Sequence, residues 1–226
     1  MSVSSYSLNV SDCSWLMSAF EITHQPSGWL QFSLSTAGLD RWLQQVNQCG
    51  LTCQPDYPAS GYPHQNPLSQ SPELNPRTIW QIQYIYSCCC TLLRRAAVHQ
   101  IIKFCATEPV CSETTPCAAE IPVDRYRLVT ADSLGDLTQC DPSTQQLIHT
   151  LIDTTDKWAQ EAPLSALRRV KLAIAVAAAF DQFYRANPPW GLKLKQQRQW
   201  YVLVRAVQVI LQRLVLGAFG TLVEQL

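Results

Sequence analysis

Proline positions divide this chain of 226 residues into stretches that can and cannot form long helices. Six of the 14 prolines fall between residues 51 and 76, and three more fall between residues 105 and 140. Because proline has no backbone N–H and its ring clashes with the preceding turn, neither stretch can form a continuous helix. The pattern predicts a linker or irregular loop over 51–76 and an inserted loop over 105–140.

The intervals between prolines after residue 76 carry helical patterns. A first helix is predicted from Pro76, because apolar residues recur along it at the spacing of one helix face. Asp141-Pro142 predicts the start of a second helix, since an N-cap residue is followed by a proline at the first helical position. Two more helices are predicted over 164–186 and 194–216. The apolar stripe of the first helix consists of Ile79, Ile82, Tyr86, Cys89, Leu93 and Ala97.

The first 50 residues predict a small α/β segment. Glu21–His24 and Trp29–Leu34 are candidate strands, and the Gln-Pro-Ser-Gly between them is turn chemistry. Ser35 or Thr36 can then cap a helix with apolar residues at helical spacing. The sequence therefore predicts a mainly α protein with a four- or five-helix bundle. Its expected organisation is an α/β segment over 1–50, a linker over 51–76, and a bundle over 77–226 that contains the 105–140 loop.

Charge is distributed unevenly along a chain whose formal net charge is zero. Residues 77–103 carry four basic and no acidic side chains, and residues 151–226 carry ten basic and five acidic ones, so these two stretches sum to +9. The remaining residues hold three basic and twelve acidic side chains, which sum to −9. A chain with this pattern can present a basic face to an anionic partner while it stays neutral overall.

The N-terminal sequence predicts a cytoplasmic protein. No basic residue precedes Arg41 and no apolar run is present there, so neither a secretory signal nor an Arg-rich transit peptide is expected. The longest uncharged apolar stretch, Leu172–Phe180, has nine residues, whereas a membrane span needs about 20. We therefore expect no membrane partner.

Ten cysteines in such a chain indicate reduced thiols rather than a disulfide framework. Cys88, Cys89 and Cys90 are consecutive on a predicted helix and point about 100° apart, so they cannot converge on one metal ion. The paired CxxC spacing that indicates a zinc site is missing. Small apolar packing residues are the favoured interpretation, and we expect neither a metal nor a cofactor.

Three segments of the chain resemble one known domain. They are the helix Trp80–Ala96 with Gln83-Tyr84, Tyr86, Cys90 and Leu92-Leu93-Arg94, the run Ala179-Phe180 followed by Phe183-Tyr184, and Leu203-Val204-Arg205-Ala206 through Leu211. In this order they resemble the anticodon-binding domain of class I arginyl-tRNA synthetases, called the DALR domain. Pro26–Leu34 resembles the last strand of the N-terminal additional domain of the same enzymes. The resemblance implies a helical anticodon-binding fold and a link to arginyl-tRNA aminoacylation.

The catalytic signatures of those enzymes are missing from this sequence. Class I activation needs a HIGH-like sequence to hold ATP phosphates and a KMSKS-like loop to stabilise the charge that develops on them. The four histidines lie in EITHQP, GYPHQN, AVHQII and LIHTLI, and no Lys-Met-Ser run occurs. GxxxxGK[ST], GxGxxG and a recognisable nucleophile motif are also absent. We therefore expect a non-catalytic relative of the synthetase that binds tRNA.

Unpaired anticodon bases are bound by stacking on aromatic or guanidinium planes and by hydrogen bonds to base edges, while basic side chains neutralise the phosphates. The candidates for stacking are Trp80, Tyr84 and Tyr86, the candidate for an edge contact is Gln83, and the candidates for phosphate are Arg94, Arg198, Arg205 and Arg213. The last three arginines are spaced to lie within about 80° of one another on a helix, as one basic stripe. Burial in the core is the alternative for the aromatic residues, and a solvated helix face is the alternative for the stripe.

A protein-interaction module without RNA binding is the alternative function. Cys88 stands where the family has an arginine, and Asp181 stands where it commonly has a histidine. Both differences make the bundle less basic than the family pattern. The sequence pI of about 6.9 also favours this alternative. The partner under this alternative is another protein.

Overall fold

A computed structural model describes residues 19–48, 76–106, 126–129, 141–160 and 164–219 of this chain. These residues are mainly helical, as predicted, with two small antiparallel sheets. The helices are α1 (Thr36–Gln48), α2 (Pro76–Val98), α3 (Pro142–Gln160), α4 (Ala166–Ala186) and α5 (Leu194–Phe219). The strands are β1 (Phe20–His24), β2 (Leu30–Leu34), β3 (Lys103–Ala106) and β4 (Tyr126–Val129), paired β1 with β2 and β3 with β4.

Helix α5 is the centre of the fold. It packs against each of the other four helices. Every side chain from Trp200 to Leu211 is buried, as expected for a helix that has neighbours on all sides. The buried stretch includes two polar residues, Arg205 and Gln208, so the core contains a charge that must be accommodated.

Helix α1 belongs to the same core as the later helices. Its apolar residues Leu39, Leu43 and Val46 join one hydrophobic cluster with residues of α2, α3, α4 and α5. A short amphipathic helix needs another apolar surface, and α5 provides it. The core therefore continues across the predicted 51–76 linker, which lies outside the described residues except for Pro76.

The predicted inserted loop contains regular structure where it is described. Lys103 pairs with Val129 and Ala106 pairs with Tyr126, so β3 and β4 form a two-stranded antiparallel sheet. Strand β4 also contacts α1. The rest of the predicted loop, 107–125 and 130–140, lies outside the described residues.

Predicted caps begin two of the helices. The Ser35 hydroxyl accepts a hydrogen bond from the Gly38 N–H at 3.1 Å at the start of α1. Asp141 Oδ1 accepts from the N–H groups of Ser143 and Thr144 at 2.9 and 3.2 Å at the start of α3. These bonds satisfy N–H groups that lack an intrahelical partner, which is why both helices begin there.

The Asp141 cap is tied to the end of α4. The Asn187 side-chain amide donates to the Ser143 hydroxyl at 2.7 Å, and the Asn187 carbonyl accepts from Trp200 Nε1 at 2.7 Å. Partial burial raises the pKa of Asp141, but hydrogen bonds from Asn187, Ser143 and Thr144 outweigh it and hold this pKa well below its usual range. One polar network thus joins the ends of α3, α4 and α5.

The depressed pKa of Asp141 predicts acid-sensitive stability. A carboxyl whose folded pKa lies below its unfolded value of about 3.9 adds stability above that value and loses it as pH falls towards the folded pKa. Asp141→Asn keeps a capping oxygen but removes the charge. We expect the wild-type protein to exceed this variant in unfolding free energy at about pH 7 and the difference to shrink below about pH 4. Urea denaturation across this pH range measures the difference, and a difference independent of pH would contradict the prediction.

Within the described ranges, no helix has both the length and the apolar character needed to cross a membrane. In the same part of the chain, no group of three His, Cys, Asp or Glu side chains is placed to hold a metal ion.

Candidate nucleic-acid interface

The exposed side of α2 carries an unusual set of side chains, which we call the α2 outer face. It consists of Arg77, Trp80, Tyr84, Cys88, Thr91 and Arg95. Their spacing places them within about 80° around the helix, opposite the buried stripe that includes Ile82, Tyr86 and Leu93. Cys88 is half-buried and the other members are exposed. From Arg77 to Arg95 the face is about 27 Å long.

Trp80 and Tyr84 form a stacked pair at the first half of this face. Their ring centroids are 5.2 Å apart and their planes differ by 15°. Trp80 is 56% exposed and Tyr84 is 48% exposed, so neither ring serves mainly to fill the core. An exposed, preformed aromatic platform of this kind can stack on another flat ring without reorganisation.

The second half of the face lies beside α4. Burial raises the pKa of Cys88, the Arg95 guanidinium lowers it, and the Asp181 carboxylate raises it. The thiol is therefore near both charges and is held protonated. Asp181 also forms an ion pair with Arg185 on α4, with an N–O distance of 2.9 Å. The two positions that differ from the synthetase pattern, Cys88 and Asp181, are thus neighbours.

Tyr184 extends the aromatic surface from α2 onto α4. Burial raises its pKa, the nearby Cys88 and Tyr84 raise it further, and Arg95 lowers it. Its ring stacks on Phe180 at 6.1 Å and is tilted against Trp200 at 6.1 Å. This half-buried tyrosine is therefore fixed by core residues and neighbours the outer face.

Basic residues gather where α2 ends and α5 begins. Arg198 Nε on α5 donates to the Ile101 carbonyl just after α2, at 3.2 Å. This contact places the first turns of α5, which also carry the exposed Lys193 and Lys195, next to the segment that follows α2. A face that carries aromatic rings between basic side chains can hold bases and phosphates of the same strand.

Two predicted contact residues are buried, and the structure corrects those predictions. Arg205 and Tyr86 are each 1% exposed. Arg205 Nη1 donates to Gln208 Oε1, and Gln208 Nε2 donates to the Tyr86 hydroxyl at 3.3 Å. Neither residue can contact RNA, and the Arg198, Arg205 and Arg213 stripe is not one solvated face. The reason is that α5 is surrounded by helices, so it has no broad solvent side.

The remaining predicted residues are partly accessible. Gln83, Arg94, Arg198 and Arg213 are half-buried, and Trp80 and Tyr84 are exposed. Sequence reasoning missed Arg77 and Arg95 as members of the same face. Their spacing from Tyr84, 7 and 11 residues, is the signal that indicates it.

No family model, curated protein or solved structure matches this chain.

Proposed function

We propose that this protein is a non-catalytic tRNA-binding accessory protein of the arginyl-tRNA synthetase-like kind, which binds the anticodon region through the α2 outer face. One observation carries the proposal: an exposed, stacked Trp80–Tyr84 pair lies on the same helix face as Arg77 and Arg95. Aromatic platforms bind unpaired bases of any sequence, and flanking guanidinium groups neutralise phosphates. The three-segment resemblance to the DALR domain supports tRNA as the RNA, and the missing ATP-binding motifs support a role without catalysis.

Binding to total tRNA at two salt concentrations tests the proposal. We expect fluorescence anisotropy of labelled tRNA to rise with protein at about 50 mM salt and the affinity to fall steeply by about 200 mM, because phosphate contacts release counterions. A folded protein that binds no tRNA at low salt would contradict the proposal.

Arg77 and Arg95 are expected to account for a measurable part of the salt dependence of tRNA affinity. Each phosphate contact that is lost lowers the slope of log affinity against log salt by about one. Arg77→Ala/Arg95→Ala is therefore expected to lower the slope by about two and to weaken binding to different tRNAs to a similar extent. Lys157→Ala/Lys171→Ala on α3 and α4 removes the same charge away from the outer face. A similar loss of slope in this control would show that net charge, not the outer face, determines binding.

A protein-interaction module remains the second candidate function, and one observation favours it. Cys88 and Asp181, which make the surface less basic than the synthetase pattern, lie together beside the aromatic pair. Exposed tryptophan, tyrosine and arginine are also the residue types enriched at protein-binding hot spots. Under this function, the Trp80→Ala/Tyr84→Ala variant loses a protein partner while tRNA binding is absent in both variant and wild type.

A further inference from the structure

The β1–β2 hairpin exposes apolar side chains that the helical core does not cover. Phe20, Ile22 and Leu30 are 40%, 53% and 56% exposed. All five residues of β1 are exposed, whereas β2 ends at Leu34, which packs against the core. A lone two-stranded hairpin is only marginally stable in water, and three or more strands with an apolar face are usually needed.

The strand register identifies the edge of this hairpin with which no other described strand pairs. Gln25 N–H donates to the Trp29 carbonyl and Ser35 N–H donates to the Ala19 carbonyl, both at 2.8 Å. Hydrogen-bonded pairs alternate along an antiparallel ladder, so the odd-numbered residues of β1 bond to β2. The N–H and C=O groups of Phe20, Ile22 and His24 consequently point away from β2.

We propose that β1 pairs with β1 of a second copy of this chain, in an antiparallel arrangement whose two-fold axis passes beside Ile22. In this register Ile22 bonds to the partner's Ile22, and Phe20 bonds to the partner's His24. All the outward-facing N–H and C=O groups of the three even-numbered residues then find a partner. The two hairpins become one four-stranded sheet, and the apolar face continues across the axis.

The few charges on the hairpin favour a second copy of β1, rather than a charged peptide, as the partner strand. Glu21 and His24 are the only titratable residues between Phe20 and Leu34. The two-fold arrangement places Glu21 opposite the partner's Thr23, so the two glutamates do not face each other. Like charges directly opposite each other destabilise a strand pair, and this register avoids them. An isologous contact of this kind also closes on itself and does not form fibres.

A charge-exchange experiment at position 22 tests the pairing, because this residue faces its own copy. We expect the wild-type protein to sediment as a dimer at the upper end of roughly 1 to 200 µM and to dissociate on dilution. Ile22→Lys and Ile22→Glu should each raise the dimer dissociation constant at least about tenfold through like-charge contact. An equimolar mixture of the two variants should recover dimers, because lysine then faces glutamate. Circular dichroism confirms that both variants are folded.

Thr23→Lys is the matched control, since position 23 faces the partner's Glu21 and a lysine there should leave the dimer intact. A wild-type protein that is monomeric throughout the concentration range would overturn the proposal. Dimers that Ile22→Lys does not weaken, or variants that fail to recover dimers when mixed, would also overturn it.

Discussion

Gln208→Leu is expected to lower the free energy of unfolding by about 2 kcal/mol, because it removes a hydrogen bond to a buried charged group. Arg205 is 1% exposed and donates from Nη1 to Gln208 Oε1. Leucine has a similar volume but accepts no hydrogen bond, so the guanidinium loses this acceptor and the Tyr86 hydroxyl loses its donor. Urea denaturation followed by helical circular dichroism measures the change.

Two further variants separate this effect from a change in packing. Gln212→Leu makes the same substitution at a half-buried position of α5 and should change stability by less than about 0.5 kcal/mol. Arg205→Met/Gln208→Leu removes the charge together with its acceptor, and such apolar replacements are often neutral or stabilising. The double variant should therefore be more stable than Gln208→Leu. Equal stability of the two would contradict a charge-based cost.

Trp80→Ala/Tyr84→Ala is expected to weaken tRNA binding by at least about 30-fold. Stacking contributes about 1 to 3 kcal/mol per base, and about 1.4 kcal/mol corresponds to a tenfold change in affinity. Both rings are about half exposed, so their removal should leave the fold intact. Anisotropy titration at fixed low salt measures the affinity, and denaturation confirms that the variant is folded.

Ring-preserving and remote substitutions test whether the loss of affinity comes from the two aromatic rings of the α2 outer face. Trp80→Phe/Tyr84→Phe keeps two aromatic planes and should retain affinity within about threefold. Trp29→Ala removes a tryptophan that is even more exposed, at 76%, from the turn of the β1–β2 hairpin and should not alter binding. If Trp29→Ala lost as much tRNA affinity as the double variant, exposed aromatic residues in general, and not the α2 outer face, would determine binding.

Local sequence signals located the helices. Prolines and capping residues act within one or two turns, so Ser35 and Asp141 indicated where α1 and α3 begin without knowledge of the tertiary fold. The two strands of the first hairpin were also predicted, because the turn residues between them are distinctive. Strands β3 and β4, with four residues each, lack such a signal. All of β4 and the second half of β3 fall in the stretch that the prolines predict as a loop.

Which candidate residues are exposed depends on how the helices pack, and helical periodicity does not contain that information. Helical spacing places Arg198, Arg205 and Arg213 together, but it does not reveal that α5 has helices on all sides. Burial of Arg205 and Tyr86 follows from that packing. Exposure of Trp80 and Tyr84 follows in the same way, because Ile82 and Leu93 on the opposite side of α2 already fill the core. Spacing alone would have joined Arg77 and Arg95 to this face.

Ultraviolet crosslinking of the protein to tRNA, followed by mass spectrometry of tryptic peptides, identifies the residues that contact the RNA. Cleavage after Arg77 and Arg94 releases residues 78–94, which carry both rings of the stacked pair. If tRNA binds to the α2 outer face, crosslinked nucleotides are found on this peptide, at Trp80 or Tyr84. Crosslinks confined to other peptides, with residues 78–94 unmodified, would contradict binding through the α2 outer face.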